Sequence, residues 1–184
     1  MALDLSNIVG GSGLMSIGPY VAAGGAGSLV DVGETSAPFE LSPELENTDF
    51  EGERTGGIVK SLASKTGFVL KCPLMQAEAL LMMMALGQPA ANATAGTGEN
   101  YTARVGVRVE QYHQATIVTP GVIGTGGTPA VRTYTFWKLQ AIACEPITIG
   151  RLVLQQWIAS FRALPDASVT TADKFFKWVD VGAA

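Results

Sequence analysis

Chemistry in this chain would have to come from a handful of positions. The single histidine, His113, lies within Gln111-Tyr112-His113-Gln114. A general base or a metal ligand needs partners within reach. The nearest acid in sequence is Glu110, and no second histidine exists. His113 is therefore expected on a strand, at the surface or at an interface. Glu44 and Glu46 could be the paired carboxylates of a glycosidase, one acid and one base or nucleophile. Acids are instead spread along the whole segment around them, which reads as a charged surface. Gly124-Thr125-Gly126-Gly127 could cradle a phosphate, but that chemistry needs a strand, a glycine turn and then a helix. Here the glycines lead into another strand, with no Lys-Ser/Thr pair, so a hairpin tip exploiting glycine's tolerance of positive φ is expected. Cys72 and Cys144 are far apart and lack further ligands at metal spacing, so two buried thiols are expected, the alternative being a disulfide formed only on oxidation. No catalytic residue, metal site or cofactor is assigned, and an enzyme is not expected.

The elements that hold these residues are more informative. Before Arg54 there is no Lys or Arg but nine acids: Asp4, Asp31, Glu34, Glu40, Glu44, Glu46, Asp49, Glu51 and Glu53. The remainder holds all twelve bases and seven acids, so the chain divides into a part at −9 and a part at +5. Hydrophobic residues make up 47% and charged ones only 15%, against about a quarter charged in ordinary domains. Something must cover the surplus apolar surface. The longest strongly apolar run, Ala79–Leu86, is far short of the roughly 20 residues of a membrane-spanning helix. The amino terminus does not read as a secretory leader. Self-association is the expected cover.

Most of the early acids sit on a strand. In Phe39–Glu46 the apolar side chains are odd-numbered and the acids even-numbered, the period-two pattern of a half-buried strand. After Asn47-Thr48 the parity flips, and a bulge or turn there would return the acids to one face. Pro43 suggests a sheet edge. Further strands are expected at Leu14–Val21, Ile58–Leu62, Gly67–Cys72 (after a turn at Ser64–Thr66), Tyr101–Val118, Ala130–Cys144 and within Ile147–Leu164. Gln76–Leu86 reads as a helix that ends at Gly87 as its C′ residue. Leu80, Leu81, Met82, Met83, Met84 and Leu86 surround that helix almost completely, so more than one side must be covered. Gln88–Gly98 reads as a mobile loop, and the tail from Thr171, with Phe175, Phe176 and Trp178, as a segment that docks.

In order, Ser16–Val21, the Asp31–Thr35 Val-Gly step, the acidic strand with its Gly52–Gly56 turn, Gly67–Cys72, a helix ending in Leu86-Gly87, a long hairpin, Leu154–Ile158 and Phe161–Asp166 resemble the major tail tube proteins of long-tailed bacteriophages, a family related to type VI secretion tube proteins. The resemblance spans roughly residues 14–180 and rests on patterns of size and polarity. It implies one domain over 1–184, mainly β: a β-sandwich or partial barrel with one flanking helix, a long hairpin and terminal arms. Residues 1–13 would be a flexible arm, and 88–99 and 119–129 loops. Subunits would form rings, hexameric by analogy, that stack into a hollow tube in the virion, assembled in the host cytoplasm, with no membrane. Partners would be identical copies and the tape measure, terminator and distal tail proteins, and DNA would pass through without specific binding. Glu40, Glu44, Glu46, Asp49, Glu51 and Glu53 would face the lumen. Leu80, Leu81, Met83 and Met84 would form an inter-subunit helix, and Gly121, Gly124, Gly126 and Gly127 an inter-ring loop. The alternative is another β-sandwich assembly or binding module, for head decoration or for carbohydrate.

Overall fold

The computed structural model describes residues 13–22, 27–51, 58–75, 79–89, 93–95, 101–107, 109–123, 129–145, 157–170 and 172–181. Ten strands and one helix occur among them: β1 Leu14–Pro19, β2 Val30–Asp31, β3 Glu40–Glu51, β4 Ile58–Leu74, α1 Ala79–Ala85, β5 Ala93–Ala95, β6 Tyr101–Ala103, β7 His113–Ile123, β8 Pro129–Cys144, β9 Trp157–Ala163 and β10 Phe176–Val181. Eight strands form one sheet in the order β2-β1-β7-β8-β9-β4-β3, with β10 added onto β8, and β5 pairs β6 separately. Every pairing is antiparallel. The fold is mainly β with one flanking helix, and the sheet does not close into a barrel.

Strand β8 organises the molecule. Along one edge it pairs β7, from Ile123↔Pro129 to His113↔Leu139. Its other edge is shared in succession, by β10 over Val131–Phe136 and by β9 over Leu139–Cys144. The sheet therefore forks near Trp137. One branch is β10, and the other continues through β9 to β4 and β3. Aromatic rings fill the fork: Phe176 of β10 stacks on Phe136 of β8 at 5.2 Å and meets Phe68 of β4 edge-on at 5.0 Å. The tail thus docks through Phe175 and Phe176, while Trp178 stays 59% exposed.

Alternation sets the core. In β9 burial alternates without a break, placing Trp157, Ala159, Phe161 and Ala163 inside. Register carries that face across the sheet, aligning Leu70, Phe161 and Ala141 in one row. Leu41 and Leu70 of the outer branch face Ile117, Tyr134 and Phe136 of the inner one across a cavity, so layering comes from one sheet curling on itself. Helix α1 contributes Leu81, Met84 and Ala85 to the same core. It ends as expected: Gly87 has φ 64°, its N–H donates to Met84 O, and Gln88 N–H donates to Met83 O. Those two bonds are a Schellman closure.

Local expectations were overridden in three places. Ser64–Thr66 is no turn, because β4 runs unbroken through it beside the long β3 and absorbs the irregularity as a bulge. Tyr101–Val118 is not one strand: β6 stops at Ala103 and β7 starts at His113. Segment 88–99 is not irregular throughout, since Gln88 is buried and Ala93–Ala95 pairs β6.

Candidate assembly surface

Strand β9 covers β4 only from Phe68 to Leu74. The β3–β4 pairing continues well past that point, to Glu51↔Ile58. From Thr66 to Ile58 the hairpin is thus a two-stranded ribbon, with no third strand beside it among the described residues. A bare two-stranded ribbon is marginal in water. This one also exposes large apolar side chains: Leu45 at 67%, Phe50 at 50%, Ile58 at 62% and Leu62 at 45%. Among the described strands, β3 is in addition the outer edge of the sheet. It runs for twelve residues, blunted only by Pro43, which has no N–H to offer a partner strand.

The register locates the acids. A bulge lies where expected, between Glu46 and Asn47, but pairing jumps from Glu46↔Lys65 to Asn47↔Ala63. The extra residue, Ser64, is on β4, so β3 keeps its alternation. Asp49 therefore falls on the face opposite Glu40, Glu44 and Glu46, and the acids are not returned to one side. The apolar positions exchange faces in the complementary sense. Near the body Leu41 and Leu45 share the core-side face, whereas at the tip Phe50 shares the opposite face with Leu62, which lies across from Thr48. Both sides of the ribbon are amphipathic.

Folding also dilutes the charge segregation. Strand β3 carries five acids, and β4 beside it carries three lysines. Glu40 lies opposite Lys71 and Glu46 opposite Lys65. Glu44 is half-buried over Gly67 and pairs with Arg162 of β9, at 3.2 Å from Nε to Oε2. Lys71 in turn reaches Glu145 at 2.7 Å, and its hydrogen bond and attraction to that carboxylate raise the lysine pKa. Glu40, Glu46 and Asp49 are exposed. Glu51 closes β3, and Glu53 lies outside the described residues.

The helix does not serve as a neighbour-facing element through the residues expected to do so. Leu81, Met83 and Met84 are buried within the subunit itself, all at 1% exposure or less. Leu81 and Met84 belong to the core of the main sheet, and the helix also packs on β5 and β6. Leu80 belongs to α1, but its side chain is outside the described set. Gly121 lies within β7 rather than in a loop, and Gly124, Gly126 and Gly127 fall outside the described residues.

His113 is not a surface residue either. It is buried, edge-on to Phe161 with ring centres 6.1 Å apart. Neither ring nitrogen has a hydrogen-bond partner among the described residues. Burial holds its pKa down at about 4, so it is a neutral core side chain at pH 7. Glu110, its nearest acid in sequence, instead accepts a hydrogen bond from Tyr112. Cys72 is buried with its thiol pointing at Met15 Sδ, 3.6 Å away, and both cysteines are free.

Two features were missed at the level of sequence. Val105, Val107 and Val109 read as the inward side of a strand, yet they are exposed at 63%, 89% and 49%. Gln88 holds that segment by clamping both backbone groups of Gly106, donating to its carbonyl and accepting from its N–H at 3.3 Å each. The second is a polar knot at Asp166, whose Oδ1 accepts from Ser168 N–H, Ser168 Oγ and Tyr20 OH. Burial raises that carboxyl's pKa, but the bonds from Ser168 and Tyr20 outweigh it and hold the group below its usual value. Close above Tyr20 and Tyr112, the Lys138 ammonium lies 5.5 and 4.0 Å from the two ring centres. The knot ties the end of β1 to β8 and to the connection before β10. Its members are far apart in sequence, which is why no local signal announced it.

No protein-family model matches the sequence, and neither does any curated protein. Among solved structures, the chain is similar to one described as a cryo-EM structure of the anti-feeding prophage (AFP) baseplate, 6-fold symmetrised. That likeness covers 88% of this chain and 91% of the other, at 12% identity and a TM-score of 0.44. Similarity this slight settles neither fold nor function.

Proposed function

We propose that this chain is a structural subunit that assembles with copies of itself into stacked rings, forming the hollow tail tube of a long-tailed phage. The observation that carries the reading is the β3–β4 ribbon, a hairpin at the edge of the described sheet with Leu45, Phe50, Ile58 and Leu62 exposed. Edges of this kind invite pairing with another chain, and a neighbour's sheet is the cover that satisfies both backbone and side chains. The exposed Val105–Val109 segment and the Trp178–Val179 end of β10 offer further contact surface. The sequence pattern of tail tube proteins supports the same reading.

A conduit must not retain its cargo, and Lys or Arg contacts to phosphates would make it do so. In the assembled tube the exposed acids of one β3 face, Glu40 and Glu46, contribute an acidic lining that keeps the duplex on axis. The lysines of β4 make it a weakly rather than a strongly negative wall. Nothing in this mechanism requires catalysis or a cofactor. Negative-stain microscopy of the purified chain tests the assembly: rings or hollow rods support it, and a monomer at every concentration overturns it. Binding of glycan by such a monomer would favour the module reading. Changing Glu40 and Glu46 to Lys tests the lining, which predicts normal tubes with impaired DNA delivery; unimpaired delivery excludes it.

A further inference from the structure

One face of the β3–β4 ribbon is nearly free of charge. Residues directly opposite in an antiparallel pair share a face. From Leu41↔Leu70 to Asp49↔Ser61, the core-side face therefore carries Leu41, Leu45, Phe68 and Leu70 and a single charge, Asp49. Glu44, Glu46 and the lysines of β4 lie on the other face. Leu45 is 67% exposed, and Asp49 is exposed as well. A second patch has the converse make-up. Between β6 and β7, Val105 and Val107 stand 63% and 89% exposed, next to the exposed Arg104. This tip is anchored: Gln88, at 2% exposure, holds Gly106 by hydrogen bonds to both of its backbone groups. Burying an amide is costly unless it is bonded, and here the bonds keep two valines out in water. Ordering a segment in advance lowers the entropic cost of docking it.

We infer that Arg104–Val107 of one copy docks on the core-side face of the β3–β4 ribbon of the next, with the valines against Leu45 and the guanidinium against Asp49. The inference rests on the tube reading above and names what covers that face. Charge complementarity selects this occupant: one base beside an apolar tip meets one acid at the end of an apolar strip. The exposed Trp178 and Val179, by contrast, lie between Lys177 and Asp180 and bring both signs. Tip and ribbon face share no residue, so the contact is head-to-tail, the type that closes into rings or runs on as a filament. It also leaves Glu40 and Glu46, on the opposite face, free to line a bore.

Two defective variants, mixed, test it. Val107→Asp removes the tip and Leu45→Asp the ribbon face, both at exposed positions, so melting temperatures should stay within about 2 °C. In sedimentation velocity each alone should remain monomeric where the unaltered chain assembles, its association weakened on the order of 100-fold. An equal mixture should give a heterodimer and nothing larger, because one copy keeps a working tip and the other a working face. Assembly of either variant alone, or a mixture that stays monomeric, overturns this inference and leaves the tube reading standing. The ion pair is read separately. Arg104→Asp should weaken association about tenfold, and Arg104→Asp/Asp49→Arg should recover most of that loss; no recovery overturns the docking as well. An unaltered chain that never assembles overturns the tube reading, and this inference with it.

Discussion

Replacing Phe50 and Leu62 together by Ser separates a surface made for a partner from one that merely tolerates grease. The two side chains share one face near the ribbon tip, with 50% and 45% of their surfaces exposed in the subunit. Fully burying a Leu or Phe side chain is worth about 1.5–3 kcal/mol. About half of each remains to be covered, so a neighbour that closes over both contributes about 1.5–3 kcal/mol per contact. At 1.4 kcal/mol per tenfold, that is roughly a 10- to 150-fold loss in association for the double variant. The isolated subunit should hardly notice, because substitutions at exposed positions usually stay within about 0.5 kcal/mol. For a chain of this length that is a shift of about 1–2 °C in melting temperature. Sedimentation velocity over a concentration series reads the first quantity and thermal melting by circular dichroism the second. An unmoved association midpoint with unmoved melting refutes the ribbon as an interface. A melting drop beyond about 5 °C would instead show that the ribbon packs on its own body.

Leu81→Asp places a charge where exposure is 1%, a loss of several kcal/mol; the subunit should fail to fold by circular dichroism, and a folded monomer that merely cannot assemble would restore the neighbour-facing helix. Gly87→Ala forces a Cβ into φ 64° and should cost about 1–2 kcal/mol, lowering the melting temperature by roughly 2–8 °C. His113 governs acid sensitivity: an unfolded imidazole protonates near pH 6.5, the folded one only at about 4, so the unfolded state binds the extra proton in between. Stability from this residue is complete above pH 6.5 and falls by about 3 kcal/mol toward pH 4. His113→Leu should flatten that slope in urea titrations, and an unchanged slope would refute the assignment.

What the residues determined by themselves is local. Period-two alternation marked β3 because a strand's side chains must alternate between faces. Gly87 announced the end of α1 because only a residue at ease with positive φ closes a helix that way. Phe175 and Phe176 declared that the tail docks, because exposed large rings are costly in water. Tertiary pairing decided the rest. Periodicity says which residues share a face but not which strand lies alongside, so the acids of β3 looked like an unbroken negative block until register set Lys65 and Lys71 across from Glu46 and Glu40. It placed the bulge on β4 rather than β3, leaving Asp49 on the far side. It turned an expected turn at Ser64–Thr66 into continuous strand, since the backbone groups of the long β3 needed partners there. A helix apolar all round could have faced a neighbour or its own subunit, and only tertiary packing put Leu81, Met83 and Met84 inside.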